Sequence, residues 1–389
     1  MDMKANGYGK FDFRLSAEQE ARAARLHRES VIVDMLFQGI FGPRTYPDAL
    51  QAEIRRTWES TRDAHMTLWA GLSSPGRLCA DGKLDAFRDH WLGCGLTGGN
   101  REIEMLDQRS FAWTFSTFQY EFDRFDWMVK ALKAEDFRRA KREGKAAGYL
   151  STQLGLGPFP DLGILQAGYN LGLRMVMLTY NSQTTIGAGC TERSNAGVSH
   201  FGRQAIELMN QLGIIVDTGH CGKQTTLDAC ALSKKPVVAS HTAAKALCAH
   251  DRCKTDEELK ALAATGGVIG IVTVPFFLKD SPGADMNTFL DHVDHVAKVA
   301  GVEHVGVGTD WPQQLPPWLL EEVFLPIAKN EWGFRDEHRI DVAATLGGFS
   351  DYLDYPNITR GLVSRGYSDA QIAGILGGNF LRVFEAVCG

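Results

Sequence analysis

Short runs of β-branched and other apolar residues recur along this chain, and several of them end in a polar side chain. The candidate strands are residues 31–34, 95–99, 146–152, 175–180, 213–218, 236–240, 267–274 and 304–309. Near-continuous apolar runs of this kind are typical of parallel strands that are buried on both faces. Segments with helical character separate the later runs, namely residues 161–171, 201–212, 222–233, 256–265 and 285–300.

Strands that alternate with helices predict a closed (β/α)8 barrel of the α/β class. A doubly wound open sheet is the alternative, and it is disfavoured because no Gly-rich phosphate loop follows the first strand. The 389 residues exceed the roughly 250 of a typical barrel. We therefore expect a helical extension over residues 1–30, in which Ser16 caps a helix, followed by a single barrel domain over residues 31–389. Long segments at residues 40–90 and 311–345 would be insertions over the carboxyl ends of the strands, as a lid, a pocket wall or an oligomer contact.

Three of the predicted strands lead into His220, His241 and Asp310. Functional side chains of such barrels stand at the carboxyl ends of the strands, so we expect these residues to lie together. Imidazole nitrogen suits zinc and similar transition metals, and a neighbouring carboxylate can order a water molecule. The pattern predicts a metal or catalytic site, and structural hydrogen bonding is the alternative role for each histidine.

Two further side chains follow predicted strands. Tyr180 closes one of them and could donate a hydrogen bond to a developing oxyanion, although a packed aromatic ring with a solvated hydroxyl is the simpler interpretation. Arg252 lies in a polar loop soon after His241 and could clamp a substrate carboxylate with two parallel hydrogen bonds. A solvated surface arginine is the alternative there.

Charge and hydropathy exclude several kinds of partner. The formal net charge is −6 and no Lys/Arg stripe is present, which argues against nucleic acid or an anionic membrane. No window approaches the roughly 20 apolar residues that a membrane span needs. The first residues lack the apolar segment of a secretory signal, so we expect a cytoplasmic protein. The eight cysteines form no regular framework and no CxxC pair, which predicts reduced thiols.

Longer stretches resemble the membrane (renal) dipeptidase family of the amidohydrolase superfamily. The likeness is carried by FGRQAIELMNQLGIIVDTGH, by ALSKKPVVASHTAAKALCAHDRCKTDEELKALAATGGVIGI, by NLGLRMVMLTYN and HVGVGTDW, and by the C-terminal GYSDAQIAGILGGNFLRVFEAV. It is good over residues 140–389 and poor over residues 31–139. The resemblance implies a (β/α)8 barrel of the metal-dependent hydrolase type, a pair of zinc ions, hydrolysis of dipeptides and a homodimer.

The resemblance also implies roles for individual residues. His220 and His241 match the histidines of one metal, and Asp310 matches the aspartate of the last strand. Arg252 matches the arginine that binds the substrate carboxylate. Tyr180 falls where the family has a histidine that assists the tetrahedral intermediate.

The chain departs from the family pattern at the other metal. The family's His-x-Asp pair after the first strand matches Leu36 and Gln38, and its bridging glutamate matches Gln153. Leucine has no lone pair to offer, and amides bind divalent cations far more weakly than carboxylates do. We therefore expect at most one ion, Zn²⁺ or similar, on His220 and His241, with Gln153, Asp310 or water completing its shell.

Three functions remain open at this point. The first is a one-metal hydrolase that cleaves an amide or similar C–N bond of a small, carboxylate-bearing, dipeptide-like substrate, with Asp310 as the general base and Tyr180 at the oxyanion. The second is a lyase, isomerase or dehydratase that uses His220, His241 and Asp310 for acid–base chemistry with little or no metal. The third is a binding homologue without catalysis.

Overall fold

Parallel strands form the centre of the computed structural model, which describes residues 8–105, 107–156, 161–310 and 314–389. The strands are β1 (Val33–Asp34), β2 (Gly98–Glu102), β3 (Met128–Lys130), β4 (Ala146–Thr152), β5 (Leu173–Met177), β6 (Ile215–Asp217), β7 (Val237–Thr242), β8 (Ile269–Ile271) and β9 (Val305–Val307). Their order is β1-β2-β4-β5-β6-β7-β8-β9, and β3 pairs with β4 outside this path. Each neighbouring pair is parallel.

Backbone hydrogen bonds bring the last strand back to the first. Met35 N donates to Val307 O at 2.8 Å, and Asp310 N donates to Leu36 O at 2.9 Å. The predicted (β/α)8 barrel is therefore confirmed, and the open doubly wound sheet is excluded. The second strand is the one whose predicted position is most shifted, since it runs over Gly98–Glu102 instead of residues 95–99. The strand Met128–Lys130 was not predicted.

Helices surround this ring and cover its ends. Apart from the helices of the insertions, those between ring strands are α5 (Gln108–Arg124), α6 (Ala134–Glu143), α7 (Gly163–Asn170), α8 (His200–Leu212), α9 (Lys223–Leu232), α10 (Asp256–Ala264), α11 (Pro275–Leu278) and α12 (Met286–Ala300). The N-terminal helix is α1 (Ala17–Glu29), and the C-terminal helices are α15 (Pro356–Ser364), α16 (Asp369–Ala373) and α17 (Asn379–Cys388). Ser16 caps α1 as predicted, because its hydroxyl accepts from Gln19 N at 3.2 Å. No helix in the described ranges is long and apolar enough to cross a membrane.

The apolar sequence runs account for the buried ring. All residues of β4, β5 and β7 are buried, as expected for strands covered on both faces. Inside this core the Tyr149 hydroxyl donates to Met35 O at 2.8 Å. The rings of Phe380 and Phe384 on α17 lie 5.7 Å from the Tyr149 ring, so the C-terminal helix packs onto the same core.

Both insertions contain helices. The first contains α2 (Asp48–Thr61), α3 (Ala64–Ala80) and α4 (Asp85–Gly93), and the second contains α13 (Pro317–Leu319) and α14 (Leu325–Asn330). Residues 311–313, the start of the second insertion, lie outside the described residues. The insertions contact each other, since Arg55 Nη1 lies 2.7 Å from Glu322 Oε1 and His65 Nε2 lies 2.6 Å from Glu331 Oε2.

Candidate active site

A cavity of about 390 Å³ opens at the carboxyl ends of the barrel strands. Residues that end or follow ring strands contribute its polar lining: Gln38, Glu102, Gln153, Tyr180, His220 and Asp310. Both insertions contribute apolar walls, including Leu68, Trp69, Leu72, Phe324, Trp332 and Phe334. The insertions therefore act as a pocket wall, which is one of the roles expected for them.

His220 and His241 meet beside this cavity. Their ring centroids lie 4.8 Å apart, and both side chains are buried. The Nε2 atoms of both rings have no hydrogen-bond partner among the described residues. Buried polar atoms are nearly always paired, so a pair of unpaired nitrogens at one place indicates a binding site.

The tautomer of His220 is fixed by Asn181. The amide nitrogen of Asn181 donates to Trp332 O at 2.8 Å, which turns its Oδ1 toward His220. That oxygen lies 2.6 Å from His220 Nδ1, so Nδ1 carries the proton and Nε2 keeps a free lone pair. Asn181 was not singled out from the sequence, although it directly follows Tyr180.

The tautomer of His241 is fixed by hydrogen bonds through Ser240 to Asp217 on the preceding strand. Ser240 Oγ donates to Asp217 Oδ2 at 2.5 Å, and Asp217 Oδ1 also accepts from Ser240 N at 2.8 Å. The serine oxygen is then left to accept from His241 Nδ1 at 2.7 Å. His241 therefore also presents an unprotonated Nε2, and outer contacts of this kind are typical of metal-binding histidines.

Electrostatics keep both imidazoles neutral. Burial, followed by the positive charge of Arg252, lowers the pKa of His220 and of His241 well below 6.5. Neutral imidazole is the form that binds a metal ion.

Asp310 lies next to these histidines. Its Oδ2 is 3.9 Å from His241 Nε2, and its Oδ1 accepts from Gln38 Nε2 at 2.6 Å. The residue has a φ of +56°, a left-handed conformation that Asp tolerates better than most residues. Burial raises the pKa of Asp310 to about 6, while Arg252 and the Gln38 hydrogen bond act in the opposite direction.

Gln153 also donates to a carboxylate, that of Glu102. The distance from Gln153 Nε2 to Glu102 Oε2 is 2.6 Å, and Gln153 Oε1 has no partner among the described residues. Burial raises the pKa of Glu102 to about 7. Sequence reasoning missed Glu102 because it ended the second strand at residue 99, three residues too early. Extending that strand would have placed this carboxylate at a strand end.

Tyr180 stacks on His220, with ring centroids 4.0 Å apart and an angle of 19° between the planes. Trp332 meets the other side of Tyr180 edge-on at 5.9 Å. Burial raises the pKa of the phenol well above 10, so it stays protonated and can donate a hydrogen bond.

Arg252 and Leu36 lie apart from the lining. Arg252 is buried, and its guanidinium donates to Gly219 O at 2.5 Å and to His241 O at 3.2 Å. It thereby ties together the two strand ends that carry the histidines. Leu36 is buried as well and takes part through its backbone oxygen, which accepts from Asp310 N.

These residues fit one metal ion better than two. His220 and His241 offer two oriented nitrogens, whereas the Gln38 and Gln153 amide nitrogens are bound to Asp310 and Glu102. Within the described ranges, no three His, Cys, Asp or Glu side chains are grouped so as to hold a metal ion. The donor set is therefore a pair of nitrogens, and a bridged two-metal centre does not fit it.

Known structures share this architecture. An amidohydrolase from Pseudomonas aeruginosa is 24% identical, with a TM-score of 0.75 and coverage of 94% of this chain and 99% of that one. The probable dipeptidase PvdM from Pseudomonas aeruginosa is 21% identical, with a TM-score of 0.69 and coverage of 96% of this chain and 99% of that one. A Rhodobacter sphaeroides metallopeptidase, liganded with a phosphinate mimic of the dipeptide L-Ala-D-Ala, is 19% identical. Its TM-score is 0.64, and the match covers 77% of this chain and 89% of that one. At these identities the likeness establishes the fold.

A match to a protein-family model shows which family the chain belongs to. The model of the membrane dipeptidases, peptidase family M19, matches residues 121–323 and 341–388, which is more than half of the chain. The matched ranges contain His220, His241 and Asp310, and they leave out Gln38 and Glu102. The chain therefore belongs to the membrane dipeptidase family, peptidase family M19.

Proposed function

We propose that this protein is a dipeptidase-like hydrolase that cleaves an amide bond of a small substrate held in the cavity. The observation that carries the proposal is the pair of neutral histidines, His220 and His241, with unpartnered Nε2 atoms beside the Asp310 carboxylate. Membership of a peptidase family supports hydrolysis as the reaction.

His220 and His241 would hold one divalent ion, Zn²⁺ or similar, through their Nε2 atoms, with Gln153, Asp310 or water completing the shell. A bound ion would supply Lewis acidity toward water and the scissile carbonyl. Asn181 and the Asp217–Ser240 pair would keep both rings in the binding tautomer.

Asp310 would move the proton. As a water oxygen bonds to the carbonyl carbon, the Asp310 carboxylate accepts the proton of that water. The same proton then passes to the amide nitrogen as the C–N bond breaks, which yields a carboxylic acid and an amine. With a pKa of about 6, Asp310 is mostly ionised at neutral pH and can act as this base. Gln38 holds the carboxylate in place through its amide.

Two further residues would act on the substrate. The Tyr180 hydroxyl would donate to the carbonyl oxygen as it gains negative charge. Arg252 remains our predicted ligand for a substrate carboxylate, and its Nε has no partner among the described residues. The homodimer that the family resemblance implies also stays a prediction, which light scattering can check.

Asp310→Asn tests the proposed base, because the amide keeps the size of the side chain and cannot take the proton. We expect unchanged zinc content and loss of dipeptide hydrolysis, measured on the dipeptide Phe-Gly. Asp126→Asn changes an exposed aspartate of the barrel surface and serves as the control. Retained turnover in the Asp310 variant would remove this residue from the role of base.

A lyase, isomerase or dehydratase is the second candidate, and the two glutamine–carboxylate contacts favour it. Gln38 and Gln153 hold the carboxyl groups of Asp310 and Glu102, whose pKa values of about 6 and about 7 would let both groups exchange protons near neutral pH. Metal analysis of protein purified without added zinc separates the two functions. Less than about one-tenth of an equivalent, with activity insensitive to chelators, would favour the second function.

A further inference from the structure

The segment that carries Arg252 begins and ends in a cysteine, and we name this segment, from Cys248 to Cys253, the Arg252 loop. Both cysteines are buried, and the Cys253 thiol donates a hydrogen bond to the Cys248 sulfur. A backbone hydrogen bond from Lys245 N to Lys254 O, at 2.8 Å, closes the base of the loop. The two thiols are therefore neighbours in the folded chain.

Both sulfur atoms face the same short helix, α11. Cys253 Sγ lies 3.2 Å from Phe277 O, within this helix. Cys248 Sγ donates to Asp280 Oδ1 at 3.4 Å, two residues after the helix ends. Formation of a sulfur–sulfur bond between two thiols that are already in hydrogen-bonding contact needs only a small displacement of each.

Cys248 is the thiol that a small oxidant meets first. Its neighbours Leu247 and Ala249 are exposed, and the side chain of Asp280, which its sulfur contacts, is 53% exposed. The hydrogen bond from Cys253 lowers the pKa of the Cys248 thiol, while burial and the Asp280 charge act in the opposite direction. Because the thiolate is the form that reacts with a peroxide, this arrangement makes Cys248 the attacking sulfur and Cys253 the resolving one.

The Arg252 loop connects the candidate site to the second insertion. The guanidinium of Arg252 donates to Gly219 O and to His241 O, at the ends of the strands that lead into the site histidines. On the other side of the loop, His250 Nε2 donates to His338 O at 3.2 Å. A change in the shape of this loop would therefore reach both the strand ends and the second insertion.

We propose that a peroxide converts Cys248 and Cys253 into a reversible disulfide, and that this bond displaces Arg252 from the two strand ends. The Cys248 thiolate attacks one peroxide oxygen, the O–O bond breaks, and a sulfenic acid forms as hydroxide leaves. The Cys253 sulfur gives up its proton, bonds to the Cys248 sulfur and releases the second hydroxide. In total, two thiols and one hydrogen peroxide give one disulfide and two water molecules.

The covalent chain passes the displacement to the site. Arg252 directly precedes Cys253, so a shift of the Cys253 sulfur and backbone moves the arginine as well. Its hydrogen bonds to Gly219 O and His241 O tolerate only a narrow range of distances and angles. We therefore expect the disulfide to lower hydrolysis, and this part of the proposal rests on the proposed function.

Peptide mass mapping detects the bond on the full chain. The protein is treated with hydrogen peroxide, free thiols are blocked with N-ethylmaleimide, and trypsin is added. Trypsin cuts after Lys245, Arg252 and Lys254, so the two cysteines fall in separate fragments, residues 246–252 and 253–254. We expect these fragments to be linked after peroxide and to separate in dithiothreitol. Separate fragments that carry N-ethylmaleimide after peroxide treatment would overturn the proposal.

Hydrolysis of Phe-Gly reports what the bond does to the site. Peroxide should lower kcat/KM of the wild type by roughly ten-fold or more, because a displaced Arg252 no longer holds the strand ends together. Dithiothreitol should restore the activity. Cys248→Ser and Cys253→Ser should keep the activity of the untreated wild type and lose the response to peroxide.

Cys388→Ser is the matched control, because it changes a half-buried thiol of the C-terminal helix and should keep the response to peroxide. Thermal unfolding verifies that each variant is folded. A response that survives in both Cys248→Ser and Cys253→Ser would assign it to another group and would also overturn the proposal.

The two readouts separate the disulfide from the proposed function. Linked fragments, without hydrolysis of any dipeptide by the reduced protein, would leave the disulfide standing and remove the hydrolase. Linked fragments with unchanged hydrolysis would show that Arg252 stays in place and would overturn the proposed effect of the bond.

Discussion

The amide nitrogen of Gln38 lies 2.6 Å from Oδ1 of Asp310 and so joins the segment after the first strand to the end of the last one. Asp310 has a φ of +56°, in the left-handed region, which costs an L-residue about 1–2 kcal/mol. Its backbone N–H is bound to Leu36 O as well, so two contacts across the closing seam of the barrel hold this conformation. The proposed base is therefore positioned by residues that stand where the family resemblance places metal ligands.

Removing the Gln38 amide should disorder the proposed base. We expect Gln38→Leu to lower kcat for Phe-Gly hydrolysis by roughly ten-fold or more, with little change in KM, because the hydrogen bond positions Asp310 and does not bind substrate. Steady-state kinetics at neutral pH measures both constants. Gln204→Leu, at an exposed position of α8, is the control. An unchanged kcat would show that Asp310 needs no support from this side chain.

The histidine pair should determine metal binding. His220→Ala or His241→Ala should reduce zinc affinity by about 100-fold or more, because each removes one of two nitrogen ligands. Asn181→Leu should reduce it by about 10- to 100-fold, since the Nδ1 proton of His220 loses its acceptor. Competition with a chromophoric chelator measures these affinities, and His200→Ala at an exposed position is the control. If both histidine variants kept the zinc affinity of the wild type, His220 and His241 would not be the zinc ligands.

The buried ion pair of the cavity wall should matter for stability. Arg101 and Glu121 have side chains only 7% and 1% exposed, and the guanidinium lies 4.5 Å from the centre of the Phe118 ring. Arg101→Met leaves the Glu121 charge buried alone, and we expect it to lower the free energy of unfolding by about 3–5 kcal/mol.

Urea unfolding measures this change, with the exposed Arg138–Glu385 pair as the matched control. Arg138→Met should cost less than about 1 kcal/mol, because water and salt screen an exposed pair. If both variants lose the same stability, burial is not what makes the Arg101 pair important.

Asp34 should make stability depend on pH. Its carboxylate accepts from Thr309 Oγ1 at 2.6 Å, and burial raises its pKa from 3.8 to about 7. The folded state therefore holds the proton more tightly than the unfolded state. The Asp34 contribution to stability is fully present below about pH 4 and is lost as the pH rises through about 7, at about 1.4 kcal/mol per pH unit.

Asp34→Asn removes this titration. The free energy of unfolding of the wild type, minus that of the variant, should fall between about pH 4 and about pH 7 and stay level above that range. Because other buried groups titrate equally in both proteins, the difference isolates Asp34. Urea unfolding across this range measures it, and a constant difference would show that Asp34 has the same pKa in both states.

The sequence by itself determined the barrel and the placement of its main site residues. Near-continuous apolar runs predict buried parallel strands, and a parallel barrel brings the carboxyl end of every strand to the same rim. For that reason His220, His241 and Asp310 could be expected together before any contact was known. This prediction needed only local sequence information, namely the apolar run of each strand and the residue that follows the run.

Only the tertiary structure decided how these residues are held and what surrounds them. The Gln38–Asp310 contact joins residues 272 positions apart, and the Gln153–Glu102 contact spans 51. A hydrogen bond forms only within a narrow range of donor–acceptor distances and angles. No local sequence pattern encodes such a match between segments that are far apart in the chain. Closure of the barrel brings these partners together, and it thereby directs both glutamine amides to carboxylates.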